Sequence, residues 1–298
     1  MTKHLVLALA LFGASCSKRT EPQPREAPGS GSAAVVAVAV EADAGPAAGS
    51  GAGSAAPKAE PPPYTPAADV AEPIKPAIAA ADRSPEDRML DAGRMPGEVL
   101  SFFKIAPGQR IGELFAGGGY TTELMARIVG EGGKVYAQNT KEIMDKFARK
   151  PWSERAAKPV MKNVVTVEQP TDAPFPAEAK DLDAVVTILN YHDFVWLKSD
   201  MAKLNKAVFD ALKPGGVYAI VDHSAAKDSG VRDVESLHRI DEAVVKKEVT
   251  AAGFTLDAES DLLRHKDDTL DWSTSPKAAG DKRGTSDRFT LRFVKPAK

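Results

Sequence analysis

The chain has 298 residues, with 39 Lys and Arg against 41 Asp and Glu, and a single cysteine. One cysteine excludes an internal disulfide framework. Balanced charge without a basic stripe argues against a nucleic-acid partner and for a small molecule.

Apolar residues are unevenly spread. From Ser17 to Ala80 there is no Leu, Phe, Trp or Met, and 41 of 64 residues are Ala, Gly, Pro or Ser. Such a stretch buries too little apolar surface to offset its ordering entropy, so residues 17–80 are expected to form a disordered tether. Residues 81–298 remain as one domain, large enough for a substantial core and carrying 33 Lys and Arg against 34 Asp and Glu.

Residues 1–16 read as an address. Lys3 precedes an apolar run from Leu5 to Phe12, followed by Gly13, Ala14, Ser15 and Cys16. The run is too short to span a bilayer as a helix and matches a secretory signal. Phe12-Gly13-Ala14-Ser15-Cys16 resembles a bacterial lipoprotein box, although Gly13 stands where Leu is usual. The resemblance implies lipidation of Cys16 and attachment to a membrane. Ser17 resembles the residue that follows the cysteine in outer-membrane lipoproteins, implying an exported protein facing the periplasm. The alternative is an ordinary signal peptide with an incidental cysteine.

Along the domain, apolar residues alternate between helical and strand periods. A helical stretch covers about 85–104, broken at Pro96 and Gly97. Pro107-Gly108 turns into a strand at 110–115, then Gly117, Gly118 and Gly119 lead into a helix closed by Gly130. Further strands are expected at 134–138, 164–167, 184–189, 217–221, 254–258 and 288–294. Helices are expected at about 141–149, 197–212 and 234–251. This alternation predicts an α/β fold with a mostly parallel, seven-stranded sheet and helices on both faces. In such folds ligands bind beyond the carboxyl ends of the strands.

The loops at those ends carry the informative residues. Ile111-Gly112-Glu113-Leu114-Phe115-Ala116-Gly117-Gly118-Gly119-Tyr120 puts glycines where a backbone approaches a ligand, ahead of a helix N-terminus that favours an anion. It resembles motif I of the class I S-adenosylmethionine-dependent methyltransferases, with Glu113 at the acidic position and Gly117 and Gly119 at the paired glycines. Leu212-Lys213-Pro214-Gly215-Gly216-Val217-Tyr218 resembles the turn before the family's fifth strand. Thr171-Asp172-Ala173-Pro174-Phe175-Pro176 resembles the loop after the third, and Leu182-Asp183-Ala184-Val185-Val186 the opening of the fourth. The resemblance spans the domain and extends to bacterial predicted methyltransferases of lipoprotein type.

That resemblance implies a Rossmann-like class I methyltransferase fold with S-adenosyl-L-methionine as cofactor. The cofactor would be held by Glu113, Ala116, Gly117, Gly119, Tyr120, Asn139, Asp172, Ala173 and Asn190. Two positions depart from the pattern. Phe115 stands at the first glycine, and Asn139 stands where a carboxylate usually meets the ribose, losing a charge-assisted bond.

On the acceptor side, Asn190-Tyr191-His192-Asp193 and Asp222-His223-Ser224 follow neighbouring strands. His192 or His223, with Asp193, is a candidate for proton transfer or orientation of the acceptor. Asp193, Asp222 and His223 alternatively suit a divalent metal, although none is assigned. His238, Asp241 and Glu242 would share one face of the helix at 234–251, and residues 283–288 are a possible substrate-side loop. Trp152, Trp196 and Trp272 are expected to pack. The expected function is methyl transfer to a small molecule. The alternative is an exported, non-catalytic binding protein of the same fold, since the cofactor is a cytosolic metabolite.

Overall fold

The computed structural model describes residues 64–297; Cys16, the apolar run before it and residues 17–63 of the expected tether lie outside them. Seven strands are present: β1 Arg110–Leu114, β2 Lys134–Asn139, β3 Val164–Glu168, β4 Leu182–Ile188, β5 Leu212–His223, β6 Thr255–Ser260 and β7 Arg288–Val294. They form one sheet in the order β3-β2-β1-β4-β5-β7-β6. Neighbours among β1 to β5 run parallel, and β7 pairs antiparallel with both β5 and β6. Interior strand β4 is nearly continuous in apolar residues because both its faces are covered, with Ala184, Val185 and Val186 fully buried. The switch in strand order falls between β1 and β4, which places the ligand cleft at their carboxyl ends.

Ten α-helices flank the sheet among the described residues, besides a π-helical turn at Met144–Ala148 and two 3-10 turns: α1 Ile74–Ala79, α2 Pro85–Arg94, α3 Pro96–Phe102, α4 Tyr120–Val129, α5 Lys141–Ile143, α6 Arg149–Ala156, α7 Tyr191–Trp196, α8 Met201–Ala211, α9 Glu242–Ala251 and α10 Pro276–Ala279. Local chemistry sets their ends. Ser84 caps α2 by accepting from the Asp87 amide, with Pro85 at the first helical position. Asp200 caps α8 by accepting from Lys203 N. Gly130 closes α4 with φ 64°. No helix among the described residues is long and apolar enough to cross a membrane.

Three expectations need correction. First, the packed chain begins before residue 81. Val70, Ile74, Ala77 and Ile78 are buried in a cluster with Leu100, Phe103, Leu124 and Met125, and burying each Ile contributes roughly 1.5–3 kcal/mol. Tyr64 docks as well: its hydroxyl bonds Glu98 and accepts from Gly97 N at 2.9 Å. The Ala-rich average concealed two isoleucines four residues apart on one helical face.

Second, the expected helix at 234–251 exists only from Glu242. Asp241 stops it from starting earlier, because its carboxylate accepts from Ala243 N at 2.9 Å as an N-cap. Residues before it cross the end of β5, where Ile240 N bonds His223 O and Ser224 bridges Ile240. Third, the helix expected at 197–212 starts only at Met201, as α8, and a separate helix, α7, precedes it, so the Tyr191-His192-Asp193 segment is helical rather than loop.

The N-terminal helices are fastened by buried ion pairs. Arg83 bonds both oxygens of Asp91 at 2.7 Å, and Asp91 also accepts from Tyr120 Oη at 2.6 Å. Arg155 of α6 bonds both oxygens of Asp87 at 2.7 and 2.9 Å. These bidentate pairs hold α2 over the start of α4 and thus over the cleft.

Candidate active site

The glycine turn leaves β1 in left-handed backbone, with φ 48° at Phe115, 56° at Gly117 and 84° at Gly119. Phe115, a non-glycine in this region, stores strain of about 1–3 kcal/mol, which tertiary packing must hold in place. Its ring packs on Phe194 with centroids 4.3 Å apart. The side chains at the end of β2 close on the same turn. Gln138 Oε1 accepts from Phe115 N at 3.2 Å. Asn139 Oδ1 accepts from Gly117 N at 2.9 Å, while its Nδ2 donates to Gly117 O at 3.3 Å. Asn139 therefore acts as a strut for the turn.

From the other side, Arg155 Nε donates to Gly118 O at 2.6 Å. A Cβ on Gly119 would stand 2.8 Å from Arg155 Cδ and 3.0 Å from the Trp152 ring. Residues 111–120 are buried throughout. Trp152 packs, as expected, but it packs on the glycine turn.

Glu113 lies beneath the turn and accepts from the Thr122 hydroxyl. Burial pushes its carboxyl up to about 8, against the opposing influence of Thr122. Asn190 reaches the turn from β4, donating to Phe115 O at 3.2 Å. Tyr120 is held by Asp91, with Arg94 stacked 4.4 Å over its ring. Asp172 and Ala173 are exposed and line no part of the cavity described next.

Beside this turn, at the ends of β4 and β5, is a cavity of about 300 Å³. It brings together Asn190, His192, Asp193 and His223 from the expected acceptor side with His238 and the 283–288 segment. Helix α2 roofs it through Leu90, Gly93 and Arg94. A Cβ on Gly93 would come within 3.0 Å of Gly284 Cα, so roof and wall meet main chain to main chain.

His192 is fixed at both backbone and ring by one buried carboxylate. Asp222 Oδ2 accepts from His192 N at 2.7 Å, and Asp222 Oδ1 lies 2.7 Å from His192 Nδ1. Asp193 Oδ1 faces His192 Nε2 at 3.3 Å. Burial alone would lower the imidazole's pKa, but Asp193 and Asp222 together raise it to about 10. Burial raises Asp193 in turn, and His192 more than offsets this, holding it near 2.

His223 behaves oppositely. Burial and the neighbouring His192 and Arg288 charges press its pKa well below the ordinary range. Its Nδ1 lies 2.8 Å from Ser286 Oγ. In the tautomer that donates Nδ1–H to Ser286, Nε2 keeps a lone pair to accept a proton. The two histidines are thus driven in opposite directions, His192 toward the charged form and His223 toward the neutral one.

Sequence reasoning missed the rest of the wall. Trp272 lines the cavity instead of serving only as packing. Arg239, fully buried, supports it from behind: it bonds Asp268 at 2.8 and 3.2 Å, Ser224 O at 2.9 Å and Trp272 O at 3.1 Å. Arg288 is 2% exposed and bonds Ser286 O and Gly284 O at 3.2 and 3.0 Å. Among the described residues, no carboxylate lies within ion-pair distance of it. Its third partner is His265 Nε2 at 3.4 Å, and a buried guanidinium with only neutral partners at the cavity edge is chemically suited to a ligand anion.

The strand order and the antiparallel final strand decide the architecture. This is the class I methyltransferase fold. No family model matches the chain. A SAM-dependent methyltransferase from Aquifex aeolicus superposes with a TM-score of 0.51 at 19% identity, covering 73% of this chain and 96% of that one. The 4+2 cyclase SpnF superposes equally, with a TM-score of 0.51 at 17% identity, covering 71% of this chain and 84% of that one. A fold shared by a methyltransferase and a cyclase leaves the reaction to the residues of the site.

Proposed function

We propose that the domain is an S-adenosylmethionine-dependent methyltransferase acting on a small acceptor that carries a carboxylate or similar anion. The observation that carries this reading is the juxtaposition of the glycine turn with a built cavity at the ends of β4 and β5. The N-terminus of α4, whose cap Gly119 offers no side-chain bond, would favour the carboxylate at the methionine end of the cofactor, while the turn itself, residues 111–120, is buried and lines no part of the cavity. Asn139 does not fit the usual ribose role, because both ends of its amide are engaged with Gly117. Bound beside the turn, the cofactor would supply an activated methyl group; the chain's own residues place the acceptor. Arg288 binds its anionic end, the cavity excludes water, and His223, oriented by Ser286, takes the acceptor's proton where one must leave. His192, charged between two carboxylates, orients the acceptor rather than serving as base.

Replacing Arg288 with Gln is expected to weaken acceptor binding at least tenfold. The measurement is KM against kcat, once an acceptor is found among carboxylates. An unchanged KM would remove the anion from the proposal. The apolar run before Cys16 supports export with lipid anchoring, and acyl transfer to Cys16 is testable by mass spectrometry of the membrane fraction.

Calorimetric titration of the full chain with S-adenosylmethionine and S-adenosylhomocysteine tests the central claim. Micromolar binding is expected, lost in Gly117→Leu, where a side chain would have to adopt left-handed backbone in a buried turn. No heat from either ligand in a folded sample would overturn it. A second reading, an exported binding protein without turnover, is favoured by the cover that Arg155 and Trp152 form over the turn. It predicts small-molecule binding in the cavity with no response to either cofactor form.

A further inference from the structure

Asp193, His192 and His238 converge in the cavity wall from different parts of the chain. The first two begin α7, and His238 lies on the segment crossing the end of β5. Asp193 Oδ1 is 3.3 Å from His192 Nε2 and 3.5 Å from His238 Nδ1, and the three ligand atoms all lie within 4.8 Å of one another. A tetrahedron built on bonds of about 2.0–2.1 Å has edges of about 3.3–3.4 Å, so both measured separations match it. Asp193 Oδ1 is buried and makes a hydrogen bond to neither ring. At 6% residue exposure, a carboxylate oxygen that faces two ring nitrogens at 3.3 and 3.5 Å with a hydrogen bond to neither is under-satisfied, and an ion bound between the three would complete it.

Two further observations point to a ligand. His192 has a carboxylate on its far nitrogen: Asp222 Oδ1 at 2.7 Å from Nδ1. That carboxylate–imidazole arrangement fixes the ring so that Nε2 faces Asp193, as outer partners do for metal-bound histidines. His238 is held with φ 51°, a strained conformation for a non-glycine residue. Thr274 Oγ1 bonds its carbonyl at 2.7 Å, and the Trp196 ring packs edge-on at 4.8 Å. The fold thus holds an unfavourable backbone whose effect is to aim an imidazole at Asp193.

We propose that His192 Nε2, His238 Nδ1 and Asp193 Oδ1 form a binding site for one divalent first-row transition ion, with its remaining positions open to the cavity. Two imidazoles and one carboxylate favour zinc, cobalt or iron(II) over magnesium or calcium, which want oxygen ligands. The ion takes the place of the proton between His192 and Asp193. The inference does not rest on the methyl-transfer reading, and its test does not use activity.

The full chain, stripped with a chelator and confirmed folded by circular dichroism, is titrated with Co²⁺ and then Zn²⁺. One equivalent of Co²⁺ per chain is expected, with ligand-field absorption of a four- or five-coordinate site, displaced by Zn²⁺ and not by Mg²⁺. Asp193→Asn, nearly isosteric, removes this uptake, and His238→Ala removes the bands. Asp222→Asn, changing only the outer partner, weakens affinity by about 10–100-fold. Uptake below about 0.1 ion per chain, or uptake unchanged in a folded Asp193→Asn protein, overturns the site. That outcome leaves His192 and Asp193 as a simple ion pair.

Discussion

Arg239→Ala is expected to lower the unfolding free energy by about 3 kcal/mol or more, the usual cost of breaking a buried ion pair from one side. The side chains of both partners, Arg239 and Asp268, are out of contact with solvent, and their closest oxygen–nitrogen distance is 2.8 Å. The loss should stay near the low end of that class. Asp268 retains other donors: Asp287 N at 2.6 Å, Trp272 Nε1 at 2.7 Å and Leu270 N at 3.0 Å. Removing the guanidinium also frees Ser224 O and Trp272 O, so the cavity wall loosens along with the fold. For a domain of this size the melting temperature should fall by roughly 6–12 °C. Lys at the position should not rescue it, because one ammonium does not satisfy both oxygens of Asp268 and two separate carbonyls. Urea denaturation of the three proteins decides the matter. A loss below 1 kcal/mol for Ala, or full recovery with Lys, would show that the pair contributes little.

Glu113 gives the second large effect, and it is a dependence on pH. Its folded pKa, pushed to about 8 by burial, lies above the unfolded value near 4.5. The unfolded chain therefore sheds its proton first as pH rises. This group's contribution to stability is full below about pH 4.5, declines between there and pH 8, and is lost above. At about 1.4 kcal/mol per unit, the decline amounts to several kcal/mol. Glu113→Gln keeps the shape and the bond from Thr122 but does not ionise. The variant should match the wild type at pH 5 and exceed it by a few kcal/mol at pH 9. Denaturation of both proteins at three pH values isolates the term, because other titrating groups cancel in the difference. A constant gap across pH would mean that Glu113 ionises normally in the fold.

The seven strands were readable because apolar segments such as Ala184 to Ile188 and Val217 to Val221 are bounded by Gly, Pro or charged residues. The glycine turn was readable because its φ values admit few other residues. What escaped was set by distant partners. Arg239 looks like one member of a polar helix face, yet it is buried on Asp268, 29 residues further on. Local periodicity carries no trace of that pair, so the segment at 234–241 was read as helix. Asn139 was placed correctly at the end of β2, but sequence does not say which way an amide faces, and it faces the turn. His192, Asp193 and His223 could be placed near one another because they lie at or just beyond the ends of adjacent parallel strands. His238 joined them only through a strained crossing, and Trp272 and Arg288 joined from the other end of the domain.

The contact between Gly93 and Gly284 bears on which guests the cavity admits. Where a rim is formed by side chains, rotamer changes let it stretch to suit several visitors. Here part of the rim is peptide backbone on both sides, and its aperture is fixed by how α2 is riveted through Asp87 and Asp91 to Arg155 and Arg83. Sieving by size is thereby assigned to the N-terminal helices, far along the chain from the histidines. An alanine at 93 would act as a wedge between them, changing which molecules enter while leaving every side chain in the pocket untouched.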